Sequence, residues 1–90
     1  MNKVLVDIYT GQQNFAILKL PEREYPGVVF QGDSLSILCN DIERIYKLAA
    51  QSKNKELEEE ILFIRNSLKE ILEGYKLVLR ENKIELPFKE

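Results

Sequence analysis

The first twenty residues alternate apolar and polar side chains with a period of two. In Lys3–Tyr9 this puts Val4, Val6 and Ile8 on one side of an extended segment and Leu5, Asp7 and Tyr9 on the other. Thr10-Gly11-Gln12-Gln13-Asn14 reads as a polar turn, and residues 15–20 (Phe-Ala-Ile-Leu-Lys-Leu) as a second strand, so a β-hairpin is expected. Two prolines, Pro21 and Pro26, bracket a charged loop, after which Gly27–Gln31 carries Val28, Val29 and Phe30 as a short third strand. The period then changes. Leu35, Leu38, Ile42, Ile45 and Ala49 recur at alternating spacings of three and four, a helical stripe running to about Ala50. After the polar link Gln51-Ser52-Lys53-Asn54, a longer stripe follows through Leu57, Ile61, Ile64, Leu68, Ile71, Tyr75 and Val78.

Two stripes joined by a short link predict an antiparallel helical hairpin with the second helix the longer. Gly32 breaks the third strand, Asp33 is placed to cap the first helix, and Asn82 to close the second. Beyond Asn82, Ile84, Leu86 and Phe88 alternate in a manner compatible with a short edge strand. The fold class predicted is α+β: a three-stranded, mainly antiparallel sheet followed by a two-helix hairpin, in a single domain over residues 1–90. Pro26, Gly27, Gly32 and Asp33 serve as structural punctuation.

Neither set of alternate side chains on the strands is polar, as one wet face of a sheet would require. With Val4, Val6 and Ile8 inward, Leu5, Asp7 and Tyr9 face outward, accompanied by either Phe15, Ile17 and Lys19 or Ala16, Leu18 and Leu20. An apolar patch of that extent on a small domain points to an interface. Leu5, Asp7, Tyr9, Phe15 and Ile17, with Glu22 and Glu24 as an acidic rim, are the candidate partner-binding residues. The far end of the second helix carries Ile71, Leu72, Tyr75, Val78 and Leu79, more apolar surface than one neighbouring element can cover. These are the candidate self-association residues, for which a two-fold homodimer is the simplest arrangement.

Composition removes most catalytic chemistry from consideration. Histidine is absent, so the usual proton carrier near neutral pH and the commonest imidazole ligand are both missing. The single cysteine, Cys39, can form neither an internal disulfide nor a thiolate metal cluster, and reads as a small buried side chain. Glu56, Glu58, Glu59 and Glu60 complement the dipole of the second helix rather than gather a metal ion. A net charge of −2 offers no broad basic field for nucleic acid. The chain has neither a signal sequence nor an apolar run long enough for a membrane, so the cytoplasm is the expected compartment. No catalytic, cofactor-binding or metal-ligating residues are assigned, and no cofactor is expected.

Gly32-Asp33-Ser34-Leu35 spells a tetrapeptide found in serine esterases, but the serine follows the third strand and no histidine can complete a proton relay. The longer block Pro26-Gly27-Val28-Val29-Phe30-Gln31-Gly32-Asp33-Ser34-Leu35 resembles the centre of HicB-type antitoxin domains, where a Pro-Gly turn leads through a strand into the first long helix. This resemblance spans residues 3–50. Ser36-Ile37-Leu38-Cys39 departs from the acidic, alanine-rich start usual in those domains, and a second long helix replaces their later strands. The chain is also similar along its whole length to short uncharacterised bacterial domains with the same hairpin, Pro-Gly-Val-Val block and two helices. The resemblance implies a non-catalytic domain of antitoxin or immunity type that neutralises a partner protein, such as a toxin, by contact. The alternative is a homo-oligomeric structural module or one that sequesters a small molecule between sheet and helices.

Overall fold

A computed structural model describes residues 2–10 and 15–90; the turn expected over 11–14 lies outside them. The order of elements is β1 (Asp7–Ile8), β2 (Phe15–Lys19), β3 (Gly27–Phe30), α1 (Gly32–Gln51) and α2 (Lys55–Glu81). The fold is α+β, a three-stranded antiparallel sheet followed by two helices, as the periodicities require. Residue contacts divide the chain into two compact units, Met1–Gln31 and Gly32–Glu90.

In the sheet unit the strand order is β1-β2-β3. β1 is two residues long, against the seven expected from alternation, and proline accounts for the difference. The Tyr9 amide donates to the Ile17 carbonyl at 2.8 Å, and hydrogen-bonded pairs recur at every second residue of an antiparallel ladder. The next pair is Asp7 with Lys19, and the one after would set residue 5 against Pro21, which has no N–H to give. The ladder therefore stops. On its other side β2 pairs Phe15 with Phe30, Ala16 with Val29, Ile17 with Val28 and Leu18 with Gly27.

The helical unit is an antiparallel pair. Asn54 caps α2, its side-chain oxygen accepting from the Leu57 amide at 3.1 Å. Asp33 differs from its expected role. Helix α1 already begins at Gly32, so Asp33 lies within the first turn, where its carboxylate accepts from the neighbouring Ser34 amide and complements the helix dipole. Gly32 is buried, and a Cβ there would collide with the ring of Tyr75. Glycine is required by this close approach of α2 to the start of α1. Further along the seam the Cys39 thiol donates to the Leu68 carbonyl at 3.7 Å, and Leu35, Ala49 and Leu72 are buried.

At 20 and 27 residues the helices differ by roughly 10 Å at 1.5 Å per residue. Asn82 closes α2 as expected, and Lys83 adopts a left-handed conformation with φ 58°. The Lys83 amide then bonds Arg80 O at 3.2 Å, and the Ile84 amide bonds Leu79 O at 2.9 Å, the paired bonds of a Schellman motif. Residues 84–88 form no strand. The tail instead turns back along α2, stacking Phe88 on Tyr75 at 6.4 Å and setting Glu90 3.4 Å from the Lys76 ammonium. Part of the overhang, expected from its length to cover the sheet or a neighbouring chain, is thus covered by the chain's own tail.

Two stability outcomes follow. Gly32→Ala should cost about 1–3 kcal/mol in denaturant unfolding by forcing Tyr75 aside. Combined with Tyr75→Ala, it should cost clearly less than the sum of the single changes. Lys83→Gly should stabilise by about 1 kcal/mol, because glycine holds a positive φ without the Cβ penalty.

Candidate protein-binding surfaces

Strand register decides which of the alternate side chains share a face. Asp7 opposes Lys19, Tyr9 bonds Ile17, and Phe15 and Ile17 oppose Phe30 and Val28. Tyr9, Phe15, Ile17, Val28 and Phe30 therefore form one apolar face, with the opposite charges of Asp7 and Lys19 facing each other at its end. Tyr9 is 60% exposed and Val28 66%. Leu5 precedes β1 and is 95% exposed. Of the candidate partner-binding residues, the register thus brings together Asp7, Tyr9, Phe15 and Ile17. The other face is apolar too, with Ile8 beside Leu18 and Ala16 beside Val29. Val4 and Ile8, expected to lie inward, are themselves well exposed. No described residue of the sheet unit is buried.

The acidic rim lies at the loop end of the sheet, beside Leu18, Leu20 and Val29 of the second face and Val28 of the first. Between β2 and β3 the loop leaves an open groove of about 520 Å³, floored by Leu18, Leu20 and Val29 and walled by Arg23, Glu24 and Tyr25. Glu22 joins Arg23 beside Leu20 and Val4 in an adjoining hollow. Strand alternation alone could not show this, because the direction taken by the loop after Pro21 has no period.

The hairpin's two broad sides differ in character. On one side Glu43 receives two bonds from Arg65, at 2.7 Å from Nε and 3.3 Å from Nη2. The Arg65 guanidinium also lies 5.5 Å from the centre of the Tyr46 ring, tying α2 to α1. These bonds hold the Glu43 carboxyl below the usual carboxylate range and push Arg65 up. Asn40, Lys69 and Glu73 line the same shallow groove. Cys39, half-buried there, has its thiol pushed up by burial.

The other side carries an aliphatic stripe. Measured from the Cys39–Leu68 contact at about 100° per residue, Leu38 and Ile45 lie round α1 in the same rotational sense as Ile64, Ile71 and Val78 round α2. Antiparallel axes place equal senses on the same side of the pair. All five are exposed, as is Leu57 on the same stripe. Of the candidate self-association residues, Leu72 is buried, Tyr75 packs on Gly32 and Phe88, and Leu79 is half-buried, which leaves Ile71 and Val78 outward. The outward set overlooked from sequence comprises Leu38, Ile45, Leu57 and Ile64. Its signal was the width of both stripes, broader than one helix contact consumes.

Ser34 sits half-buried in the first turn of α1. Among the described residues, no cluster of three or more metal-ligating side chains occurs, and no helix is long and apolar enough to cross a membrane.

The depressed Glu43 carboxyl fixes a sign for pH dependence. Its pairing adds stability above the ordinary carboxylate pKa, which is lost as pH falls through the lower folded-state value. Glu43→Gln should therefore be less stable than the parent at neutral pH, and the gap should close in acid. Denaturant midpoints taken across that range check it.

Neither the curated proteins nor the solved structures contain a match to this chain. One family model does match, over residues 1–88. That span takes in the sheet, both helices and most of the tail, and the chain belongs to DUF6959, a family of unknown function.

Proposed function

We propose that this protein is a non-catalytic binding domain of antitoxin or immunity type, which neutralises a partner protein by direct contact. The observation that carries the reading is the sheet unit, where apolar side chains stand exposed on both faces and none of the described residues is buried. Isolated surface leucines are ordinary, but contiguous apolar faces on so small a unit mark a place where another molecule sits. Tyr9, Phe15 and Phe30 supply the large anchors typical of interface centres. Glu22 and Glu24 offer carboxylates to a basic partner, and Arg23 and Tyr25 stand beside them. β3 adds a free edge without charge or proline over Gly27–Phe30, the kind of edge to which a partner's strand can add.

The groove over Leu18, Leu20 and Val29 favours a second reading, sequestration of a small apolar molecule. Native mass spectrometry of the purified protein discriminates the two, since a sequestering module would carry a bound compound.

The direct test is co-expression with the protein encoded beside it. Under this reading the two co-purify in fixed ratio and growth arrest by the neighbour is relieved. Phe15→Asp and Tyr9→Asp should abolish both effects while the helical circular dichroism persists. Ser34→Ala should leave them intact. Relief that survives both aspartate variants would remove the sheet face from the account, and its loss in a folded Ser34→Ala protein would revive a catalytic one.

A further inference from the structure

The hydrogen bonds of β2 fix what the open edge of β3 has to offer. The Tyr9 amide bonds the Ile17 carbonyl, so the backbone groups of Ile17 point towards β1 and those of Ala16 and Leu18 towards β3. Val29 and Gly27, their partners, point back at them. The amides and carbonyls of Val28 and Phe30 are therefore directed away from the sheet, and none of these four groups has a partner among the described residues. Edge strands are commonly blunted by a charge, a proline or a bulge, and Gly27–Phe30 carries none of them. Two donors and two acceptors at strand spacing are complemented by one thing, another extended backbone.

Gly27 says more about that backbone. Its φ is not positive, and a Cβ built on it meets nothing within 4 Å, so its own chain makes no demand for glycine there. Glycine nevertheless weakens a strand. The side chain it lacks would stand on the second face, where the 520 Å³ groove opens over Leu18 and Val29 against the largely exposed ring of Tyr25. In an antiparallel strand added at this edge, the residue opposite Gly27 belongs to a pair without hydrogen bonds, the closer of the two spacings. A large side chain at that position would lie over the glycine and into the groove, as bulky cross-strand neighbours of strand glycines do.

A second copy of β3 meets these conditions poorly. The antiparallel register that uses all four edge groups sets Val28 against Phe30 of the other copy, and Phe30 against its Val28. Gln31 then falls opposite Gly27, and a polar side chain is left facing an apolar hollow.

We propose that β3 takes up an extended segment of a different protein as a fourth, antiparallel strand, with Val28 and Phe30 pairing its backbone and a bulky apolar side chain of that segment filling the hollow over Gly27. This rests on the reading of the sheet unit as a protein-binding surface, and leaves open whether the partner is a toxin.

The test uses the full chain and a synthetic peptide of alternating threonine and valine with one central phenylalanine. In the protein alone, amide hydrogen exchange should be fast at Val28 and Phe30 and slower at Gly27 and Val29, which are bonded to β2. Saturating peptide should slow Val28 and Phe30. Replacing the central phenylalanine by alanine should weaken binding about tenfold or more. Gly27→Phe fills the hollow from within, and should abolish the preference for phenylalanine while the β2–β3 amides stay protected. No binding at millimolar peptide overturns the proposal, as does binding that leaves Val28 and Phe30 exchanging freely or is indifferent to the phenylalanine. Protection of those two amides that grows with protein concentration alone gives the edge to a second copy, and a small molecule that co-purifies and excludes the peptide gives the hollow to a ligand; either outcome also overturns it. Peptide binding without relief of growth arrest by co-expression would leave this inference standing and remove the antitoxin reading. Relief in a complex whose Val28 and Phe30 amides stay unprotected would do the reverse.

Discussion

Everything in this molecule turns on the seam between its two helices, and that seam is narrow. Gly32 lets the Tyr75 ring lie against the start of α1. Ala49 and Ser36 are small and buried. Arg65 reaches across to grip Glu43 at its middle. Small residues bring the axes close, and a close pair of helices encloses little volume. Among the described residues only Leu35, Ala49 and Leu72 are apolar and buried. The remaining aliphatic side chains are left on the flanks, where each still gains by leaving water.

The same economy governs the sheet unit. Pro21 ends the β1–β2 ladder early, β3 has an open edge, and three short strands cannot enclose side chains on two faces at once. Both units thus present more apolar surface than they cover themselves. For a chain of 90 residues, association is the physical remedy. The two units differ in what they present to a partner. The sheet offers aromatic anchors and a loop carrying both acids and Arg23, suited to a different protein. The helix pair offers an evenly spaced aliphatic stripe along one side of α2.

Much of the fold could be read from the residues. The change of period from two to a mixture of three and four placed the strands and both helices, and Asn82 marked the end of α2. The failures have definite causes. β1 was drawn too long because alternation says nothing about which amide is missing on the opposite strand, here that of Pro21. The tail was drawn as a strand because Ile84, Leu86 and Phe88 alternate, but Lys83 reverses the chain and Phe88 finds Tyr75 instead. Tyr75, Leu72 and Leu79 looked available for self-association, yet their own chain occupies or shields them. Leu38, Ile45, Leu57 and Ile64 could be told apart from the seam residues only after the Cys39–Leu68 contact fixed the rotation of each helix. Glu22 and Glu24 could be assigned to a face only from the course of the loop.

The central claim is that the apolar surface this chain leaves exposed is covered by association in solution. Stability linked to association depends on protein concentration, whereas that of a self-sufficient monomer does not. The most direct measurement is the thermal unfolding midpoint of the isolated protein, followed by helical circular dichroism over a wide range of protein concentration. The account predicts a midpoint that climbs steadily with concentration. A midpoint that stays fixed across the whole range, with a sharp two-state transition, would contradict it.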